Sequence, residues 1–214
     1  NATDLTVTAA NVIANQSAII AVNDGTGSTT VTSTGNIIGT NVHGIEARNT
    51  TANANDLTVT TAGVVGGQRA IFALNYGVGM TSVVSTGTLT GTGGVGADAR
   101  NLNAAATNLS VTAIDVDAGQ TGILAINYGT GDTTVTSTGS VTGTSAFGIY
   151  ARHRGANLAI TADDASGGIT GIVANNTGTG PTNISVTGNI FGGYGSGINT
   201  YSNVGNLTTI NLSA

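Results

Sequence analysis

The chain has 214 residues, with 34 Gly, one Pro, no Cys and no Trp, and only 7% of it is charged. Its five cationic side chains are all Arg, and the formal net charge is −5. That balance excludes the clustered Lys/Arg surface that a phosphate backbone requires, so no nucleic-acid partner is expected. The lack of Cys removes disulfides and thiol chemistry. No run of about 18 apolar residues is present to span a membrane. At 39% apolar and low net charge the composition is that of a folded chain.

The first element in chain order is the phrase LTVT at Leu5. It returns at Leu57 (LTVT), Leu109 (LSVT), Leu158 (LAIT) and, weakened, at Leu207 (LTTI), with related phrases between at Val31 (VTST), Val83 (VVST), Val135 (VTST) and Ile184 (ISVT). Taken as one series these openings are 26 residues apart five times, then 23, 26 and 23. A middle strand follows in each unit, around phrases such as NIIGT and TLTGT. A third phrase starts fourteen residues after each opening, at Ile19, Ile45, Ile71, Ala97, Ile123, Ile149, Ile172 and Ile198. Two residues on come Ala21, Ala47, Ala73, Ala99, Ala125, Ala151, Ala174 and Thr200; two more give Asn23, Asn49, Asn75, Asn101, Asn127, His153, Asn176 and Ser202.

The period of two within this phrase is that of a strand. Thr, Val, Ile and recurrent Gly disfavour helix. Internal repetition of this length predicts a solenoid. The expected fold is all-β: a right-handed parallel β-helix of about eight rungs, three short strands each, stacked at ~4.8 Å into a rod on the order of 40 Å long.

The recurrent Ile, Ala and Asn are expected to point inward as three vertical files. Stacked amides of Asn23, Asn49, Asn75, Asn101, Asn127 and Asn176 can then bond one another along the axis. This file reads as a ladder that stabilises turns rather than a binding site, with His153 and Ser202 as tolerated substitutes. The intervening residues are expected to face solvent. Odd rungs then present Ile20/Val22, Phe72/Leu74 and Leu124/Ile126; even rungs present Glu46/Arg48, Asp98/Arg100 and Tyr150/Arg152. Placing Arg on alternate rungs doubles the spacing between like charges, and Glu46 and Asp98 are positioned for weak surface pairs with Arg48 and Arg100. Phe72, Leu74, Leu124, Ile126 and Tyr150, extended by Tyr76 and Tyr128 in the adjoining turns and flanked by Arg48, Arg100 and Arg152, form the candidate contact face.

Motifs with chemical connotations are weak. GTGGVG at Gly91–Gly96 matches a dinucleotide fingerprint, but no helix is expected after it. A single calcium-type nonapeptide start at Gly93 lacks tandem copies. The turn glycines Gly25, Gly77, Gly129 and Gly178 are expected to supply positive φ. Asp115/Asp117 and Asp163/Asp164 fall two rungs apart, near 10 Å, which keeps a glycan-cleaving enzyme as an alternative. Neither His43 nor His153 completes a nucleophilic set. No cofactor, metal or enzymatic activity is expected.

The phrases TTVTSTGSVTGTSAFGIYAR and TNISVTGNIFGGYGSGINT resemble the degenerate repeats of autotransporter passengers, the type V secretion family of Gram-negative bacteria, and the likeness covers nearly the whole chain. It implies that residues 1–214 are a single β-helix fragment of a longer passenger, without signal peptide or translocator barrel. It also implies secretion to or beyond the bacterial cell surface, and non-enzymatic action as an adhesin, virulence factor or host-cell effector. The expected partner is a host-cell surface protein or glycan, or another copy. A pure spacer is the remaining reading.

Overall fold

The computed structural model describes residues 3–203 and 205–213. Every element in it is a strand. The chain is a right-handed parallel β-helix of eight complete rungs. Rung 1 comprises Leu5–Ala9, Val12–Ala14 and Ile19–Asn23; in rung 2 the first two strands fuse as Thr29–Gly39, followed by His43–Asn49. Rung 3 is Leu57–Gly66 and Arg69–Asn75; rung 4 is Thr81–Ser85, Leu89–Gly91 and Val95–Asn101; rung 5 is Leu109–Ala113, Val116–Ala118 and Ile123–Asn127. Rung 6 is Thr133–Ser137, Ser140–Gly143 and Phe147–His153; rung 7 is Leu158–Ala162, Asp164–Gly167 and Thr170–Asn176; rung 8 is Thr182–Val186, Ile190–Gly192 and Ile198–Ser202. Thr208–Leu212 begins a ninth turn by pairing with the first strand of rung 8. First and second strands run together into one 15-stranded sheet, and the third strands form a separate 8-stranded sheet.

The third strands stack as the repeat implies. Ile45 lies between Ile19 and Ile71, Ala99 between Ala73 and Ala125, and Asn101 between Asn75 and Asn127. Side chains alternate faces along a strand, so one shared register buries every Ile and Ala of rungs 1–7. Within rungs 2–7 each is fully buried. Two further files complete the core: Val7, Val31, Val59, Val83, Val111, Val135, Ile160 and Ile184 from the first strands, and Val12, Ile37, Val64, Leu89, Val116, Val141, Ala165 and Ile190 from the second.

The first-strand register differs from the expected one by two residues. Leu5 pairs with Thr29 rather than Val31, and Leu57 with Thr29 and Thr81. Successive first strands are therefore 24 and 28 residues apart in alternation through rung 5, and the third strand follows by fourteen residues on odd rungs but sixteen on even ones. The compensating length lies in the turn after the third strand: Asn23 is six residues before Thr29, whereas Asn49 is eight before Leu57. The 52-residue echo in the sequence is this pair of turn lengths.

Among the described residues Gly205 is the one glycine with positive φ, which corrects the expectation for the turn glycines. Gly77 and Gly129 serve close approach instead: a Cβ on either would lie 2.2 Å from the Ala54 carbonyl oxygen and 2.1 Å from that of Ala106, respectively. The turns are stacked so tightly on the rung below that a side chain has no room.

Candidate functional site

At the corner between third and first strands, the Asn file sits beside a file that alternates Leu5, Leu57, Leu109 and Leu158 with Thr29, Thr81, Thr133 and Thr182. The amides do not bond one another. The Nδ2 groups donate to backbone carbonyls of the turns, such as Asn49 to Asn55 and Asp56, Asn75 to Gly79, and Asn176 to Gly180. Each amide is saturated by its own turn, so none is left for its neighbour. The Oδ1 atoms divide by rung. On odd rungs they accept from the backbone two residues on, as from Gly77 and Gly129 at 2.8 and 2.9 Å. On even rungs they accept from the buried threonine: Thr29 donates to Asn49 at 2.6 Å, and Thr81 to Asn101.

His153 holds this position where the turn is shortest, five residues before Leu158. Its Nδ1 is 2.8 Å from the Thr133 hydroxyl, and its buried Nε2 has no hydrogen-bond partner among the described residues. Burial lowers its pKa below the ordinary 6.5. His43 is lowered as well, first by burial and next by the charge of Arg69. Both groups bind protons more readily unfolded, so stability rises with pH through the window below 6.5. It is complete above 6.5 and is lost as the pH falls towards the lowered folded values. Thermal melts from pH 7.5 to pH 5 should show this loss, and His153→Asn should shallow it. An unaltered pH slope in His153→Asn would exclude His153 as the source.

The outward face of the third-strand sheet is the candidate site. Its two outward columns run Ile20, Glu46, Phe72, Asp98, Leu124, Tyr150, Val173, Asn199 and Val22, Arg48, Leu74, Arg100, Ile126, Arg152, Asn175, Tyr201. The face is less open than alternation implies. Leu74 is buried; Phe72, Leu124, Ile126, Tyr150 and Tyr128 are half-buried, and among the named aromatics Tyr76 is exposed. Arginine stems account for this cover, because they lie flat over the apolar rungs between them.

All five Arg belong to this face. Arg69 stands two residues before Ile71 and Arg154 follows His153, so the cations expected to be dispersed are gathered along one sheet edge and surface. They form two clusters. In the lower, the guanidiniums of Arg48 and Arg69 lie 5.2 and 4.6 Å from the Phe72 ring centroid, and His43 packs against the same ring at 5.4 Å. Arg48 pairs with Glu46. Arg100 holds Asp98 through two bonds of 2.6 and 2.8 Å, and Arg69 Nε donates to Asp98 at 2.9 Å. Asp98 is fully buried beneath them, so this is an enclosed ion cluster and not the weak surface pair the sequence implied. The hydrogen bond to Asp98 raises the Arg100 pKa further above its already high value.

In the upper cluster Arg152 and Arg154 lie 5.4 and 4.3 Å from the Tyr128 centroid, and Arg152 Nη1 donates to the Tyr128 hydroxyl at 3.4 Å. Phe147 and Tyr150 pack beside them with centroids 5.4 Å apart. Arg69 and Arg154 were not among the expected contact residues. Their signal was positional: each flanks a third strand.

The acidic residues elsewhere staple rungs. Asp115 accepts from the Ser140 amide at 3.0 Å, Asp164 from that of Asn189 at 2.6 Å, and Asp163 from the Thr187 hydroxyl at 3.0 Å. Asp4, Asp56 and Asp132 do the same for the amides of Ser28, Met80 and Asn157. Among the described residues no three His, Asp or Glu side chains gather as a metal site. Gly91–Gly96 runs from a second strand into a third, with no helix to complete a nucleotide site. No helix is long and apolar enough to cross a membrane. No protein-family model matches the chain, and no curated protein or solved structure matches it.

Proposed function

We propose that this chain is part of a secreted or surface-displayed bacterial passenger of the autotransporter type, and that it acts without catalysis by presenting one flank of a rigid rod to a host-cell surface partner. The observation that supports this reading is the segregation of side chains. Every Arg and most of the aromatic surface lie on the third-strand sheet, whereas six of the ten carboxylates lock rungs together. Aromatic and Arg side chains on an ordered scaffold are the usual anchors of recognition. A glycan-cleaving enzyme is less well supported, since Asp115 and Asp164 are bound to backbone amides and stand two rungs apart, about 10 Å.

The test is saturable binding of the labelled chain to cultured epithelial cells, with Tyr76→Ser/Arg154→Gln as the face variant. Both residues are exposed, so folding is preserved. Phe72 and Leu124 are unsuitable because their half-burial would mix packing with binding. The variant should lose at least about tenfold in affinity, as recognition anchors do. Equal binding by both proteins, or none by the native chain, would remove the reading.

A further inference from the structure

The two Arg–aromatic clusters share a geometry but differ in charge. The outward column places Glu46, Asp98 and Tyr150 at equivalent positions on rungs 2, 4 and 6. Arg48 and Arg100, two residues after the first two, therefore each have a carboxylate partner, and Arg69 shares Asp98. Arg152 follows Tyr150 and has none. Among the described residues neither Arg152 nor Arg154 pairs with a carboxylate, and Arg152 Nε is a buried donor without an acceptor. The nearby Asp132 is engaged by the backbone and side-chain amides of Asn157 at 3.0 and 2.9 Å. Two guanidiniums on one ring with no counter-charge repel each other. Such a pair is stabilised by an anion that bridges it.

A groove of about 300 Å³ opens at this point, lined by Tyr128, Thr130, Arg154, Thr179 and the backbone of Gly129 and Gly155. Its volume is at the lower end of ligand sites, roughly 300–1,000 Å³. The lining combines a half-exposed aromatic ring, two hydroxyls, main-chain polar groups and unpaired guanidiniums. Tyr76 occupies the corresponding turn two rungs below, about 10 Å away, with Asn103 bonded to its carbonyl between them at 3.0 Å.

We propose that this groove binds an acidic polysaccharide. A carboxylate or sulfate is clamped by Arg152 and Arg154, its sugar ring lies on Tyr128, and the strand of glycan runs along the rod towards Tyr76. This deepens the reading of the flank as a recognition surface and depends on it. Sugar fits better than polyphosphate. Nucleic-acid binding requires many neutralised phosphates, and here two free cations sit on a chain of net charge −5.

The experiment measures binding of the native chain to fluorescent oligosaccharides of polygalacturonate and of dextran sulfate, with neutral dextran and a single-stranded DNA oligomer as controls. Arg154→Gln and Arg152→Gln are compared with Arg48→Gln, whose guanidinium is already paired. Binding of either acidic oligosaccharide should weaken at least about tenfold in Arg154→Gln and change little in Arg48→Gln. It should also fall between about 0.01 and 0.1 M salt, as the screening length drops from ~30 to ~10 Å. Arg154 is exposed, so its variant decides the matter even if Arg152→Gln folds poorly. The proposal is overturned if neither acidic oligosaccharide binds, if Arg154→Gln binds as the native chain does, or if neutral dextran or DNA binds equally well. Cell binding measured in parallel separates the two ideas: cells bound without acidic oligosaccharide leaves the flank as a recognition surface with another ligand.

Discussion

Aspartate in place of Ile123 should split the rod. Ile123 is fully buried and stacks between Ala97 and Ile149 at the centre of the third-strand sheet. Truncating such a side chain costs about 2–5 kcal/mol, and an unpaired carboxylate in the same place adds several kcal/mol more. No cation can reach it, because every Arg projects from the opposite side of the sheet or its flanking turns. In a solenoid each rung packs only on its neighbours, so the damage is local in origin. Rungs 4–6 should open while the outer rungs retain partial order. Circular dichroism should show a broadened melt beginning well below the native one, and hydrogen exchange should be fastest in Val95–Asn101, Ile123–Asn127 and Phe147–His153. Ile13→Asp, on a side chain 75% exposed, should melt as the native chain does. A sharp native-like transition in Ile123→Asp would refute the stacked core.

The contrast between those two isoleucines was readable from alternation alone, and the register of the third strands followed from Ile-x-Ala-x-Asn without adjustment. The register of the first strands did not. Val31 resembles Leu5 in type, so matching apolar to apolar aligned them, while the true partner of Leu5 is Thr29. A threonine in a strand ordinarily reads as surface. Thr29 is buried because its hydroxyl meets Asn49, twenty residues away, and that bond depends on how the turns close. The flank failed for a related reason. Alternation marks Leu74 and Asp98 as outward, which they are, but outward is not exposed when Arg69 and Arg100 lie across them. Whether a long side chain extends into water or folds over its neighbours is decided by partners on other rungs. Asp98 shows this most clearly, because its second cation comes from the rung below.

Replacing Asp98 by Asn should therefore weaken the fold and alter the charge of the flank together. The native carboxylate is fully buried and accepts from Arg69 Nε, Arg100 Nε and Arg100 Nη2. The amide keeps the shape but removes the charge and turns one acceptor into a donor aimed at guanidinium. Removing one partner of a buried ion cluster costs about 3–5 kcal/mol. The guanidiniums are each 29% exposed and can reach water, so a loss of about 2–4 kcal/mol is expected in urea denaturation. Arg48, Arg69 and Arg100 then face one another with only Glu46 remaining. Added salt should recover part of the lost stability in Asp98→Asn by screening this repulsion, and should recover less in the native chain. The same released charge should make the lower cluster resemble the upper one, so acidic oligosaccharide should bind Asp98→Asn more tightly than the native chain. An unchanged urea midpoint would mean that Asp98 does not clamp the sheet. A destabilised variant with no gain in anion binding would confine the acidic-ligand site to the groove at Tyr128.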